Sequence, residues 1–207
     1  MKKTLVIFSI ILFFNIVSIA QSRGLSLKIG ADYCQSKMVS EQLFGTTNVG
    51  EFASRYGFRL GLSYEQPIYK HFSITSDIGF SQGGFDNYKN QGSNKVNQVY
   101  FSITPQVHFA NFFKIHAGPI LNYNFKSQNN LSRYMETTNV GYNIGGALVL
   151  DRLDIGFQFI HYFNYYFDYK KLYSIATDEK GYWNILGIYM SYRFLGKNPN
   201  TLGGRRR

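Results

Sequence analysis

The sequence predicts an all-β protein: a closed antiparallel transmembrane β-barrel of about eight strands that follows a cleaved signal peptide. Three observations lead to this prediction. The chain opens with a basic start and an apolar run, apolar residues then recur at every second position, and long and short connections alternate between the resulting segments. Alternation with period two is typical of strands that have two different faces.

Residues 1–20 are predicted to form the signal peptide. Lys2 and Lys3 give it a positive start, an apolar run extends from Leu5 to Phe14, and small residues lead up to a cleavage site after Ala20. The apolar stretch is shorter than the roughly 20 apolar residues that a membrane-spanning helix needs. We therefore expect export and removal of this segment.

The mature chain has 187 residues (207 minus 20), enough for one domain. We assign 21–195 to the barrel and 196–207 to a basic C-terminal tail. The formal charge of the whole chain is +10, but Lys and Arg are spread thinly except at Arg205–Arg207. A nucleic-acid-binding protein concentrates these residues on one face, so no nucleic-acid partner is expected. The single cysteine, Cys34, excludes an intrachain disulfide.

The alternating segments differ sharply between their two faces. The apolar face carries no Asp, Glu, Lys or Arg, whereas the other face is mostly small and uncharged with a few charges of both signs. Such a polar face suits the crowded interior of a narrow barrel. Lys or Arg facing lipid would cost roughly 2–4 kcal/mol each, so the apolar face is predicted to contact lipid. The eight predicted strands are 25–33, 56–65, 72–81, 99–109, 113–125, 140–150, 153–163 and 186–194.

The connections between these strands alternate in length. Bacterial outer-membrane barrels have short periplasmic turns and long extracellular loops, so this alternation predicts the outer membrane as the location. The long connections are 35–54, 82–98, 126–139 and 167–181, and the short ones are 66–71, 110–111 and 151–152. Pro105 and Pro119 conflict with two strands because each forfeits a ladder hydrogen bond, and we expect them at bulges or near a rim.

The polar face predicts a network of charges inside the barrel. We interpret this lumen polar network as structural, because carboxylates and cations of both signs can pair there. No histidine lies in a metal-binding pattern, and we expect no metal, cofactor or catalytic site. His108 and His116 are predicted to approach each other on neighbouring strands. The network comprises Lys28, Asp32, Arg59, Glu65, Asp77, Lys114, His116 and Arg193.

Two short motifs resemble a known family. The run Tyr100–Pro105, followed after a tight turn by Ala117–Pro119, resembles the Bacteroidetes outer-membrane β-barrel family that includes PorT-like proteins. The segment 186–194, which ends on Phe194, is similar to the terminal strand signal used in barrel insertion, although 13 further residues follow it. The resemblance covers about 25–195 and implies the fold and a membrane location. It also implies one candidate role, as an accessory component of protein secretion.

The leading functional hypothesis is a structural or binding protein that acts through its extracellular loops and has no enzymatic site. Its expected partners are outer-membrane lipid and other envelope or secretion proteins. A tyrosine-dense tract suggests either a recognition surface or an extended aromatic girdle: Tyr162, Tyr165, Tyr166, Tyr169 and Tyr173. Two alternatives stay open: a soluble lipocalin-like ligand binder, and a lipid-A-modifying enzyme in which Ser76 and His161 would be the nearest candidate pair.

Overall fold

A computed structural model describes most of the mature chain. The described residues are 24–42, 45–51, 54–69, 71–86, 93–109, 112–127, 136–163, 167–168 and 179–196. The predicted signal peptide, 1–20, lies outside them, as does 197–207 of the predicted tail. No helix within the described ranges is long and apolar enough to cross a membrane.

Eight antiparallel strands form a closed barrel, as the sequence predicts. Each strand pairs with its neighbour in the chain, and the first barrel strand closes the barrel by pairing with the last over Leu25↔Leu195 to Ser40↔Glu179. Two short strands, β2 and β9, pair with the ends of β1 and β10 that extend past the other barrel strands. The strands are β1 Gly24–Gln42, β2 Gly45–Glu51, β3 Arg55–Tyr69, β4 Phe72–Asp86, β5 Ser93–Phe109, β6 Phe113–Ser127, β7 Thr138–Leu150, β8 Leu153–Tyr162, β9 Phe167–Asp168 and β10 Glu179–Leu195.

The apolar face points outward and the polar face points into the lumen. Ile29 is 44% exposed on the outside, whereas its neighbour Lys28 is only 5% exposed inside the barrel. Alternation of this kind runs through the barrel strands, for example over Arg55–Tyr69. A lipocalin-like protein needs the opposite arrangement, an apolar interior and a polar exterior. The soluble lipocalin-like alternative is therefore wrong.

The two ends of the barrel differ. One end, here called the turn end, carries the short connections between β3 and β4, β5 and β6, and β7 and β8; the opposite end is called the loop end. At the turn end, Asp151 adopts a positive φ of 40° in the two-residue turn between β7 and β8. Exposed aromatic residues collect near the turn end (Tyr69, Phe109, Phe112, Tyr192) and near the loop end (Tyr33, Tyr56, Tyr123, Phe125, Phe163). Such girdles mark the two interfaces of a membrane-spanning barrel.

Several residues predicted to lie in long loops form strand instead. β1 continues from the predicted end at Tyr33 to Gln42, and β5 begins at Ser93, ahead of the predicted Val99. β4 likewise continues to Asp86. These extensions lie at the loop end, beyond the belt of outward apolar residues. The period-two alternation that marks a strand in contact with lipid is therefore missing from their sequence.

Neither proline lies at a bulge. The β5–β6 ladder has Ser102↔Ile120 and Gln106↔His116 in the same register, with no pairs between them, so no residue is inserted. Pro105 keeps its partner in β4, and Pro119 keeps its partner in β7. The two residues that lack an N–H donor thus share one interrupted seam, which confines the lost hydrogen bonds to a single place. The expectation of a bulge or rim position was wrong for this reason.

Candidate functional site

The lumen at the turn end contains an ion-pair cluster centred on Glu65, here called the turn-end cluster. Arg193 Nη2 lies 3.0 Å from Glu65 Oε2, His108 Nε2 lies 3.0 Å from Glu65 Oε1, and Lys114 Nζ lies 3.6 Å from Glu65 Oε2. Lys114 also pairs with Asp154 at 2.7 Å. All five side chains are buried. Buried charges need partners of this kind, because an isolated ion away from water is strongly destabilising.

A second ion pair lies in the middle of the lumen. Lys28 Nζ is 3.0 Å from Asp77 Oδ2 and 4.2 Å from the centre of the Tyr189 ring, so one cation has both an ionic and an aromatic partner. Ser102 donates a hydrogen bond of 3.4 Å to the same carboxylate oxygen. His116 packs 6.1 Å from the Tyr189 ring, and neither of its ring nitrogens has a hydrogen-bond partner among the described residues.

A third ion pair lies nearer the loop end. Arg59 donates from Nε and Nη2 to Asp32 Oδ2, at 3.2 and 3.1 Å. Its guanidinium lies 4.6 Å from the centre of the Tyr100 ring. Asn122 donates to the Tyr162 hydroxyl on the same side of the lumen. Tyr162 is completely buried, so its assignment to an exposed tyrosine tract was wrong; the other tyrosines of that tract lie outside the described residues.

Apolar side chains close the lumen at the loop end. The ring of Trp183 packs over Gly83, where an added Cβ would lie 2.9 Å from both the ring and the Cys34 Sγ. Gly83 is therefore required to admit these two side chains. This apolar cap is almost fully buried and consists of Cys34, Val96, Ile160, Trp183 and Ile185.

The lumen contents balance in charge and leave little free space. A polar cavity of about 20 Å³ remains beside Lys28, Asp77 and His116. This volume has room for about one water molecule. Four cations face four carboxylates in the described ion pairs: Lys28, Arg59, Lys114 and Arg193 against Asp32, Glu65, Asp77 and Asp154.

The structure places all eight predicted network residues inside the lumen. Seven of them take part in ion pairs, and His116 does not. The sequence predicts that His108 and His116 approach each other; in the structure His108 pairs with Glu65 in the turn-end cluster, whereas His116 packs beside Tyr189. The predicted network omitted His108 and Asp154, which the structure places in the turn-end cluster. Their inward positions one or two residues from a tight turn would have been the signal.

Neither His108 nor His161 forms a Ser–His–acid triad with the neighbours described for it. Ser73 Oγ and Glu65 Oε1 both approach the same nitrogen of His108, Nε2, at 2.9 and 3.0 Å. In a nucleophilic triad the acid and the nucleophile contact opposite ring nitrogens. Ser76 and His161 lie on β4 and β8, which are separated by three strands in either direction around the barrel. Within the described ranges, no group of three His, Cys, Asp or Glu residues could hold a metal ion.

Comparison with solved structures shows the same fold. No family model matches the chain, and no curated protein matches it. The chain is similar to the crystal structure of Neisserial surface protein A, with a TM-score of 0.52 and 16% identity over 83% of this chain and 99% of that chain. OprG from Pseudomonas aeruginosa (TM-score 0.44, 9% identity, 86% and 99% coverage) and Ail of Yersinia pestis (0.40, 13%, 83% and 99%) are also found. The fold and the polar lumen define a small transmembrane β-barrel of the outer-membrane type.

Proposed function

We propose that the protein is an outer-membrane barrel with a sealed lumen that acts as a binding protein through its loop end. The observation that carries this proposal is the filled lumen. Side chains occupy it at successive levels, from the turn-end cluster to the apolar cap, and the polar cavity between them has a volume of only about 20 Å³. An aqueous channel generally needs about 16 strands, so a diffusion pore is disfavoured.

The asymmetry of the barrel supports binding at the loop end. β1 and β10 remain paired out to Ser40↔Glu179, seven residues beyond the pair of Tyr33 with Leu186. Seven residues at ordinary strand rise and tilt extend about 18 Å. β2 and β9 widen this projecting sheet, whereas at the turn end short connections join the strands. Projecting loops and strands on a rigid scaffold are the usual location of recognition surfaces.

A conductance measurement tests the sealed lumen. The purified protein, reconstituted into a planar lipid bilayer and verified as folded by its heat-dependent electrophoretic shift, is expected to give no stable single-channel steps. Regular conductance steps that scale with the amount of folded barrel would overturn this part of the proposal.

Complementation with a shortened loop end tests the binding role. A variant in which 36–54 is replaced by a short Gly-Ser turn should still form a heat-modifiable barrel. Expressed in a deletion strain, it should not restore the wild-type phenotype. Full restoration by this variant would contradict a role for the first loop region. A deletion that instead blocks export of secreted proteins would favour the PorT-like accessory role that the sequence resemblance implies.

A further inference from the structure

The outer wall of the barrel contains a groove in its apolar surface. The groove has a volume of about 560 Å³ and crosses β5, β6, β7 and β8. This volume lies within the roughly 300–1,000 Å³ typical of pockets that hold a small organic ligand. Its lining is almost entirely apolar and includes Pro105, Val107, Ala117, Ile144, Phe157 and Phe159.

Small residues create the groove. Ala117 lies opposite Pro105 across the interrupted β5–β6 seam, and Gly146 takes the outward position of β7 that pairs with Phe157. Larger side chains stand on the β7–β8 side, with Phe157 55% exposed and Ile144 50% exposed. The depression therefore follows from the sequence of the wall, because small outward residues lie next to large ones.

A polar pair stands directly above the groove on the loop-end side. Ile144↔Phe159 lines the groove, and the next outward pair along the same ladder is Tyr142↔His161. His161 Nδ1 lies 2.6 Å from the Asn184 Oδ1. Because an amide oxygen only accepts, Nδ1 donates in this bond. Nε2 then remains as an acceptor and the Asn184 amide group as a donor.

The height of this pair matches a membrane interface. His161 follows Leu153, the first residue of β8 at the turn end, by eight residues. Eight residues at ordinary strand rise and tilt cover about 20 Å, close to the far edge of an apolar band about 25 Å tall. Two aromatic rings flank the imidazole, with the Tyr142 ring centre at 5.4 Å and the Phe163 ring centre at 6.1 Å.

We propose that the groove and the polar pair form one binding site for a glycolipid of the outer leaflet. One acyl chain lies in the groove, and a sugar hydroxyl bonds to His161 and Asn184. A hydroxyl both donates and accepts, so it satisfies Nε2 and the amide group together, whereas a phosphate oxygen only accepts. This inference rests on the proposed outer-membrane location.

Native mass spectrometry of the full-length mature protein in detergent tests the site. The protein is titrated separately with lipid A and with phosphatidylcholine, whose head group accepts hydrogen bonds but has none to donate. Wild type is expected to retain a single lipid A in preference to phosphatidylcholine. Ala117→Phe, which fills the groove, should weaken retention of both lipids about tenfold. His161→Leu, which keeps the groove open, should remove the preference for lipid A while leaving chain binding in place.

The matched control is Leu62→Phe, which enlarges an exposed apolar residue of β3, across the barrel from β7. It should bind both lipids as wild type does. Equal retention by Ala117→Phe and wild type, or a random distribution of lipid numbers on wild type, would overturn the groove as a site. If His161→Leu still preferred lipid A, the proposed contact between the sugar head group and His161 would be overturned. The heat-dependent electrophoretic shift of every variant reports barrel formation separately, so loss of the site is distinguishable from loss of the membrane barrel.

Discussion

Neutralising Glu65 should destabilise the barrel more than any other single charge change in the turn-end cluster. In Glu65→Gln the side chain keeps its size, but Arg193 loses its carboxylate partner at 3.0 Å, and its next carboxylate oxygen, on Asp154, is 3.9 Å away. Lys114 still has Asp154 at 2.7 Å. One buried cation is therefore left without a close counter-ion, which costs about 3–5 kcal/mol of unfolding free energy.

Urea unfolding in lipid vesicles measures this effect. Trp183 is the only tryptophan of the chain and is 1% exposed, so its fluorescence reports opening of the lumen. With a urea dependence of about 2 kcal/mol per molar, the unfolding midpoint should fall by about 1.5–2.5 M. Electrophoresis of unheated samples taken along the same titration checks that fluorescence and barrel unfolding coincide.

Two further variants separate the charge effect from a general loss of stability. Glu136→Gln removes a carboxylate at the loop-end rim and should change the unfolding free energy by less than about 0.5 kcal/mol. Glu65→Gln combined with Arg193→Met removes both charges and should be more stable than the sum of the two single changes predicts. If the unfolding free energy of Glu65→Gln lay within about 1 kcal/mol of wild type, the reasoning would be refuted, because the stability of the cluster would then not depend on charge pairing.

Three other predictions follow from the packing of the wall and the cap. Gly118→Val should lower the unfolding free energy by about 1–3 kcal/mol, because its Cβ would clash with the Ile103 carbonyl oxygen. An unchanged urea midpoint would contradict the close approach of β5 and β6. Trp183→Ala should cost about 3–5 kcal/mol, yet planar-bilayer recordings should stay silent because the turn-end cluster still blocks the lumen. Cys34, which is fully buried, should react with a water-soluble maleimide only after unfolding.

The barrel could be predicted from the sequence because lipid and lumen impose opposite demands on alternate residues. Leu27 and Ile29 on one face and Lys28 on the other already define which way a strand faces, and two-residue connections such as Asp151–Arg152 define which strands are neighbours. The strand order, with β1 pairing with β10 to close the barrel, then follows.

The remaining features depend on contacts that a period-two pattern does not encode. Tyr162 takes an inward position of the predicted strand 153–163, but its hydrogen bond with Asn122, two strands away, cannot be read from the pattern. Pro105 and Pro119 share a seam only because two strands bring them together. The lumen ion pairs likewise join residues far apart in the chain, such as Glu65 and Arg193, and composition alone does not decide which cation meets which carboxylate.

The most direct test of the account is electrophoresis of the outer-membrane fraction, boiled and unboiled, from cells that produce the full-length chain. A closed barrel with an apolar exterior and a packed polar lumen should be found in the detergent-insoluble membrane fraction, and it should migrate faster when unboiled. Recovery in the soluble periplasmic fraction, with the same mobility before and after boiling, would contradict both the outward apolar face and the closed membrane-spanning barrel.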